Sequence, residues 1–216
     1  MRSASLLLFL ALPIAQASIP ENPDLSQCDN CDVFPDEFLA VNEADLIDLE
    51  SLRPERQLDF LIGEWELIFP YVNEEQNQHY TVDQPVGFEI IDWFVKDKIL
   101  QAFQEWPFTG KGKKPFRAKS DFRYIEKEDR WQMTWLTNSS TAIYSGGLES
   151  ESVIALYEYH FTGGRRSLVT DGGHAVRYLF RNITKDRFLV EWYESDDGGK
   201  TFNILKWRLL YRKRKD

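Results

Sequence analysis

Histidine is scarce in this 216-residue chain, with three in all, and cysteine and methionine number two each. So few imidazoles and thiols leave no His, Cys or carboxylate set at the spacing a metal site needs. No metal and no cofactor is expected. A basic excess is also missing. The net charge is −9, and nothing resembles the basic face that meets nucleic acid, so no nucleic-acid partner is expected. Long apolar runs are absent too. The run at residues 6–14 falls well short of the about 20 residues a membrane helix needs, and no transmembrane segment is expected.

That short run has a different reading. Arg2 precedes it and Ala15-Gln16-Ala17 follows, giving the positive start, apolar middle and small-x-small site of an export signal. Cleavage after Ala17 would make the protein secreted or periplasmic, with residues 1–17 removed. Charge divides the remainder. Residues 18–60 hold 12 acidic and 2 basic side chains, whereas residues 61–216 hold 23 of each. Residues 18–55 therefore read as an acidic tether and helical extension, and 56–216 as one domain. The acidic extension is a candidate surface for a protein partner. Apolar residues recur at mixed helical spacings over 36–52, which predicts one amphipathic helix, or two short ones broken near Asn42, stopped by Pro54.

Cys28 and Cys31 stand in Cys-Asp-Asn-Cys within the extension. In an exported chain this pair is expected as a local disulfide. A redox-active pair needs a basic neighbour to lower the thiol pKa, and Asp29 works in the opposite direction. Two thiolates without a nearby histidine are too few for a closed zinc site.

Beyond Gly63 the apolar period becomes two. Phe116, Ala118, Ser120, Phe122 and Tyr124 alternate with Arg117, Lys119, Asp121 and Arg123, which is a strand with one wet face. Trp131, Met133 and Trp135 repeat the pattern, as do Tyr157 with Tyr159, Tyr178 with Phe180, and Val190 with Trp192. Gly-, Asp- and Lys-rich turns separate these runs. About ten short strands with no helices between them exclude a parallel sheet. They predict an all-β, antiparallel up-and-down barrel, because closure removes the edges such aromatic strands would expose.

Leu58-Asp59-Phe60-Leu61-Ile62-Gly63-Glu64-Trp65 places a helical turn before Gly-x-Trp at the first strand. It resembles the opening of the calycin superfamily of lipocalins, fatty-acid-binding proteins and nitrobindins. Three later segments extend the likeness: Phe122-Arg123-Tyr124 leading to Arg130-Trp131-Gln132-Met133-Thr134-Trp135, then Gly146-Gly147, then 191–202. Over residues 56–214 the chain resembles a family of uncharacterised, often exported, bacterial lipocalin-like proteins. The resemblance implies a lipocalin-like barrel preceded by a short helical extension. It also implies that Trp65, after Gly63, packs at the closed end under Arg208 or Arg212 as a cation partner. It supplies no reaction. Nitrobindins would bring haem, but this chain lacks their further glycines after the Trp and has no histidine near its C-terminus.

Catalytic candidates are few. His79 falls in a polar stretch, His160 shares a strand face with Glu158, and His174 begins a strand beside Asp171-Gly172-Gly173. His174 is the acid–base candidate, with a turn-capping role beside it. Asn138 and Asn182 head glycosylation sequons that matter only in a eukaryotic source. The stronger signal is aromatic. Phe122, Trp131, Trp135, Tyr157, Tyr159, Tyr178 and Phe180 are expected to face the lumen. Small barrels either fill the lumen or leave room for one ligand, and both readings stay open here. If open, the lumen suits a small apolar or amphipathic ligand. An enzyme of isomerase, cyclase or hydrolase type in the same cavity, and a structural or interaction module, are the alternatives.

Overall fold

Alternating side chains build long strands here, and the ladders fix which phase points inward. A computed structural model describes residues 23–28, 31, 34–69, 71–73, 78–80, 85–106, 115–137, 140–162, 165–167 and 173–215. The strands are β1 (Gly63–Ile68), β2 (Tyr71–Asn73), β3 (Gln78–Tyr80), β4 (Gly87–Val95), β5 (Ile99–Trp106), β6 (Phe116–Ile125) and β7 (Arg130–Thr137). They continue with β8 (Thr141–Ser150), β9 (Val153–Thr162), β10 (Arg165–Ser167), β11 (Ala175–Arg181), β12 (Arg187–Ser195) and β13 (Ile204–Lys213).

Ten of these close into a ring in the order β1-β4-β5-β6-β7-β8-β9-β11-β12-β13, with β13 returning to β1. Every strand pair is antiparallel. β10 extends the edge of β9, and β2 pairs with β3 as a separate hairpin. The expected antiparallel barrel is therefore present. Among the described residues no helix is long and apolar enough to cross a membrane.

Gly146, on β8, sits where this strand and β9 approach each other. A Cβ there would meet the Ala155 carbonyl oxygen at 2.0 Å, so a side chain would force the two backbones apart.

Two 3₁₀ turns, Pro54–Arg56 and Asp59–Leu61, plug one end of the barrel. They do so because the floor is built around indoles that need acceptors. Trp65 is fully buried and its Nε1 donates to the Leu61 carbonyl at 2.7 Å, while Trp131 Nε1 donates to the Pro54 carbonyl at 2.9 Å. The cation over Trp65 is Lys213, 5.0 Å from the ring centroid. Neither Arg208 nor Arg212 fills that place, contrary to expectation. On β13 they share the outward phase, where Arg208 pairs with Glu191 and Arg212 with Glu66.

Of the two expectations for 36–52, the single helix is not formed; two short helical pieces lie on either side of Asn42. α1 spans Asp36–Leu39 alone, followed by a 3₁₀ turn at Glu43–Asp45. Backbone groups there bond to the barrel instead of to each other. Ile47 N–H donates to the Ile183 carbonyl and Leu49 N–H to that of Glu151, at 2.9 and 3.0 Å. The extension is thus a strap along the outer wall. Asp24 makes a parallel bridge to Ile204, and Phe34 joins Ile68, Leu189 and Leu210 in a small core outside the barrel. Cys28 and Cys31 form a disulfide, and both pack on a further outer cluster with Tyr157, Leu179, Phe202 and Leu205.

Beneath the strap lies an ionic layer. Glu191 is fully buried on β12 and accepts two hydrogen bonds from Arg181, one from Arg208 and one from the Tyr193 hydroxyl. Arg177, also fully buried, lies over the rings of Tyr193 and Phe202, with Glu149 3.7 Å from its guanidinium.

Candidate functional site

Trp65 points into the barrel, and the ladder places Glu89 directly opposite it, so a carboxyl is carried inward on the same row. Gln104 lies opposite Glu89 on β5, and Ser120 projects inward from β6. From β13 comes Tyr211, whose hydroxyl donates to Glu89 Oε2 at 2.6 Å. Glu89 is only 5% exposed. Burial raises its carboxyl to about 7, the Tyr211 hydrogen bond opposing the rise. Burial, and then the adjacent Glu89 charge, push the Tyr211 phenol well above its ordinary value.

These polar groups line a cavity of about 30 Å³ whose walls include Phe122, Trp135 and Tyr178. That volume holds about two waters. Above it the aromatic side chains form a collar. Trp135 packs 6.2 Å from Phe116, Phe116 5.8 Å from Trp106, Trp106 5.9 Å from Phe69, and Phe69 6.4 Å from Trp207. Tyr178 lies 5.7 Å from Trp207, and Tyr144 lies 5.8 Å from Tyr178. Two buried donors in this ring, Trp106 Nε1 and the Tyr144 hydroxyl, have no hydrogen-bond partner among the described residues.

Glu158 stands opposite Tyr144 in the ladder, at the rim, with His160 Nδ1 4.0 Å from its carboxylate. Desolvation raises the Glu158 carboxyl, and His160 and His174 act against it. Among the described residues no group of three or more His, Cys, Asp or Glu side chains is placed to hold a metal ion.

The Glu89 shift carries a stability consequence. Its folded-state pKa lies above the unfolded value of 4.5, so the folded protein keeps a proton that the unfolded chain has released. Stability therefore falls as pH rises from about 4.5 to 7 and then levels off, a loss of roughly 3 kcal/mol. Glu89→Gln removes this loss. Urea titrations at pH 4.5 and pH 8 should show the variant gaining on the wild type by about that amount. An unchanged difference would mean that the carboxyl is solvated.

The expected wall residues divide. Phe122, Trp135, Tyr178 and Phe180 line the cavity. Trp131 faces inward but belongs to the floor, tied to Pro54. Tyr157 and Tyr159 do not face the lumen, which corrects the expectation for β9. Ile154 and Leu156 point inward instead. Tyr157 is buried outside, against Phe202 at 5.4 Å, and the Tyr159 hydroxyl accepts from Arg130. Both phases of β9 are covered, so alternation alone did not reveal the inner one. His174 precedes β11 at the rim and is not among the cavity-lining residues. Asp171, Asn138 and residues 1–17 lie outside the described residues. The Asn182 amide donates to the Leu39 carbonyl at 2.7 Å, which ties this sequon to the strap.

Sequence reasoning missed Glu89, Gln104, Ser120 and Tyr211 as site residues. On β4 each phase carries one acid, Glu89 in one and Asp92 in the other, so the alternation is mute. Phe88, Ile90 and Phe94, the more apolar phase, are exposed on the outside.

No protein-family profile matches this chain, and no curated protein is similar to it. Among solved structures it is similar to a redesigned β-barrel, at 11% identity and a TM-score of 0.33, over 77% of this chain and 98% of that one.

Proposed function

We propose that the protein is a lipocalin-like binder of one small amphipathic molecule, held in the barrel with its polar end toward Glu89. The observation that carries this reading is a buried carboxyl beside a cavity beneath a ring of aromatic side chains. Ligand sites are mostly apolar hollows with a few convergent polar groups, and Glu89, Gln104 and Ser120 are such a set. A guest larger than two waters enters by turning Trp135 and Tyr178, which are only half-buried. The Cys28–Cys31 disulfide supports work in an oxidising compartment outside the cytoplasm.

Titration with an environment-sensitive apolar probe tests the reading. Binding in the micromolar range, near roughly −8 kcal/mol, is expected together with a change in tryptophan emission. Trp135→Ala should alter the affinity by at least about fivefold, whereas Tyr157→Phe, on the outer wall, should leave it unchanged. The proposal fails if no probe binds, or if Trp135→Ala and Tyr157→Phe behave alike.

A further inference from the structure

Glu89 is buried in the lumen, and among the described residues Tyr211 is its hydrogen-bond partner and no lysine or arginine lines the cavity beside it. The nearest inward-facing cation on the same ladder row is Lys213. It is occupied at the floor, over Trp65 and 3.4 Å from the Ile62 carbonyl. A further carboxyl on an inward phase, Glu158, stands at the rim. Between the two lie aromatic faces, Tyr144, Tyr178 and Trp135 among them. A carboxylate ligand such as a fatty acid would meet like charge at both levels and, among the described residues lining the cavity, no lysine or arginine, an arrangement that costs free energy in a low-dielectric interior. A cation meets the opposite: a carboxylate at the rim, aromatic faces along the way, and a carboxylate at the end.

From this geometry we infer that the guest is an organic ammonium ion, its charged nitrogen against Glu89 and its apolar part within the aromatic collar. The inference rests on the lumen-binding reading and gives that site its ligand class. Size agrees. An –NH3⁺ head is close to a water in bulk, and the 30 Å³ beside Glu89 takes it without displacing a wall residue. Chemistry agrees as well. An ammonium donates up to three hydrogen bonds, and Glu89, Gln104 and Ser120 offer it oxygen acceptors. The ion pair also adds to the Tyr211 hydrogen bond in offsetting the desolvation of Glu89.

Three molecules sharing one eight-carbon tail separate the possibilities: octylamine, octanol and octanoate. Each is titrated by calorimetry into the full-length protein at pH 8, where both Glu89 and the amine are charged. The amine should bind at least about tenfold more tightly than the alcohol, with the acid weakest. Glu89→Gln should bring amine and alcohol within about threefold of each other, while Tyr157→Phe preserves the preference. In the wild type the amine's advantage should also fall as pH drops from 8 to 5, since Glu89 takes up its proton near 7. This second measurement stands even if the variant does not fold. Equal or tighter binding of alcohol or acid at pH 8 overturns the inference and leaves the lumen-binding reading intact. So does an amine preference that survives Glu89→Gln. Failure of all three to bind overturns the lumen-binding reading and this one with it.

Discussion

Glu191→Ala should cost about 3–5 kcal/mol, as expected when one member of a buried ionic set is removed. The carboxylate is fully buried and takes a bidentate pair from Arg181 at 2.8 Å on each oxygen, plus the Arg208 Nε at 2.8 Å. Burial by itself would raise its pKa. Arg181 and Arg208, by charge and by hydrogen bond, outweigh that and hold it below the usual carboxylate range. The sign of the pH effect follows. A depressed folded pKa contributes stability that is present above the unfolded value of 4.5 and disappears as pH falls below it. Alanine removes the carboxylate that Arg181 and Arg208 share, so the loss should appear at neutral pH. Glu191→Gln keeps the shape and loses the charge, and should fall between. Urea unfolding at pH 7 measures both. A loss under 1 kcal/mol for alanine would show that water reaches the layer and screens it.

Trp65→Ala should be as severe, about 3–5 kcal/mol, through the cavity it leaves. The indole has no exposed surface, packs edge-to-face on Phe188 at 4.9 Å and hydrogen-bonds the turn that plugs the barrel. Its removal also strips Lys213 of its aromatic partner and loosens the Leu61 turn. Trp65→Phe refills most of the space and loses the Nε1 donor, so about 1–2 kcal/mol separates it from wild type. If alanine and phenylalanine cost the same, packing at the floor is not what holds that end shut.

Much of this architecture was legible because one face of several strands is wet. Phe116 to Tyr124 alternate with Arg117, Lys119, Asp121 and Arg123, and β6 follows that pattern with Ala118, Ser120 and Phe122 buried. Legibility ended where the outside is also covered. Alternation with Glu158 and His160 points Tyr157 at the lumen, yet Cys28, Cys31 and Phe202 give that phase an outer core of its own. The same strap explains why no single helix runs over 36–52. Phe38 and Leu39 open the helical spacing, but with Phe34 they meet Ile68, Leu189 and Leu210, and tertiary contacts override the local preference. Glu89 was hidden for another reason. Acid occurs in both phases of β4, and only the register with Trp65 decides which one turns inward.

The seam between β1 and β13 joins the two ends of the domain, with Trp65 opposite Lys213 and Ile68 opposite Leu210. During synthesis β1 can zip to β4 early, but its other edge waits for the last ten strand residues of the chain. Closure therefore demands contacts across nearly the whole length, which places the protein among slowly folding, high-contact-order topologies. Until then β1 and β12 each expose an unpaired edge. Asp24 bridges to Ile204 on the same late strand, so that end of the strap is held only once β13 is in place. Closure of the ring and anchoring of the Asp24 end of the strap thus depend on one and the same strand.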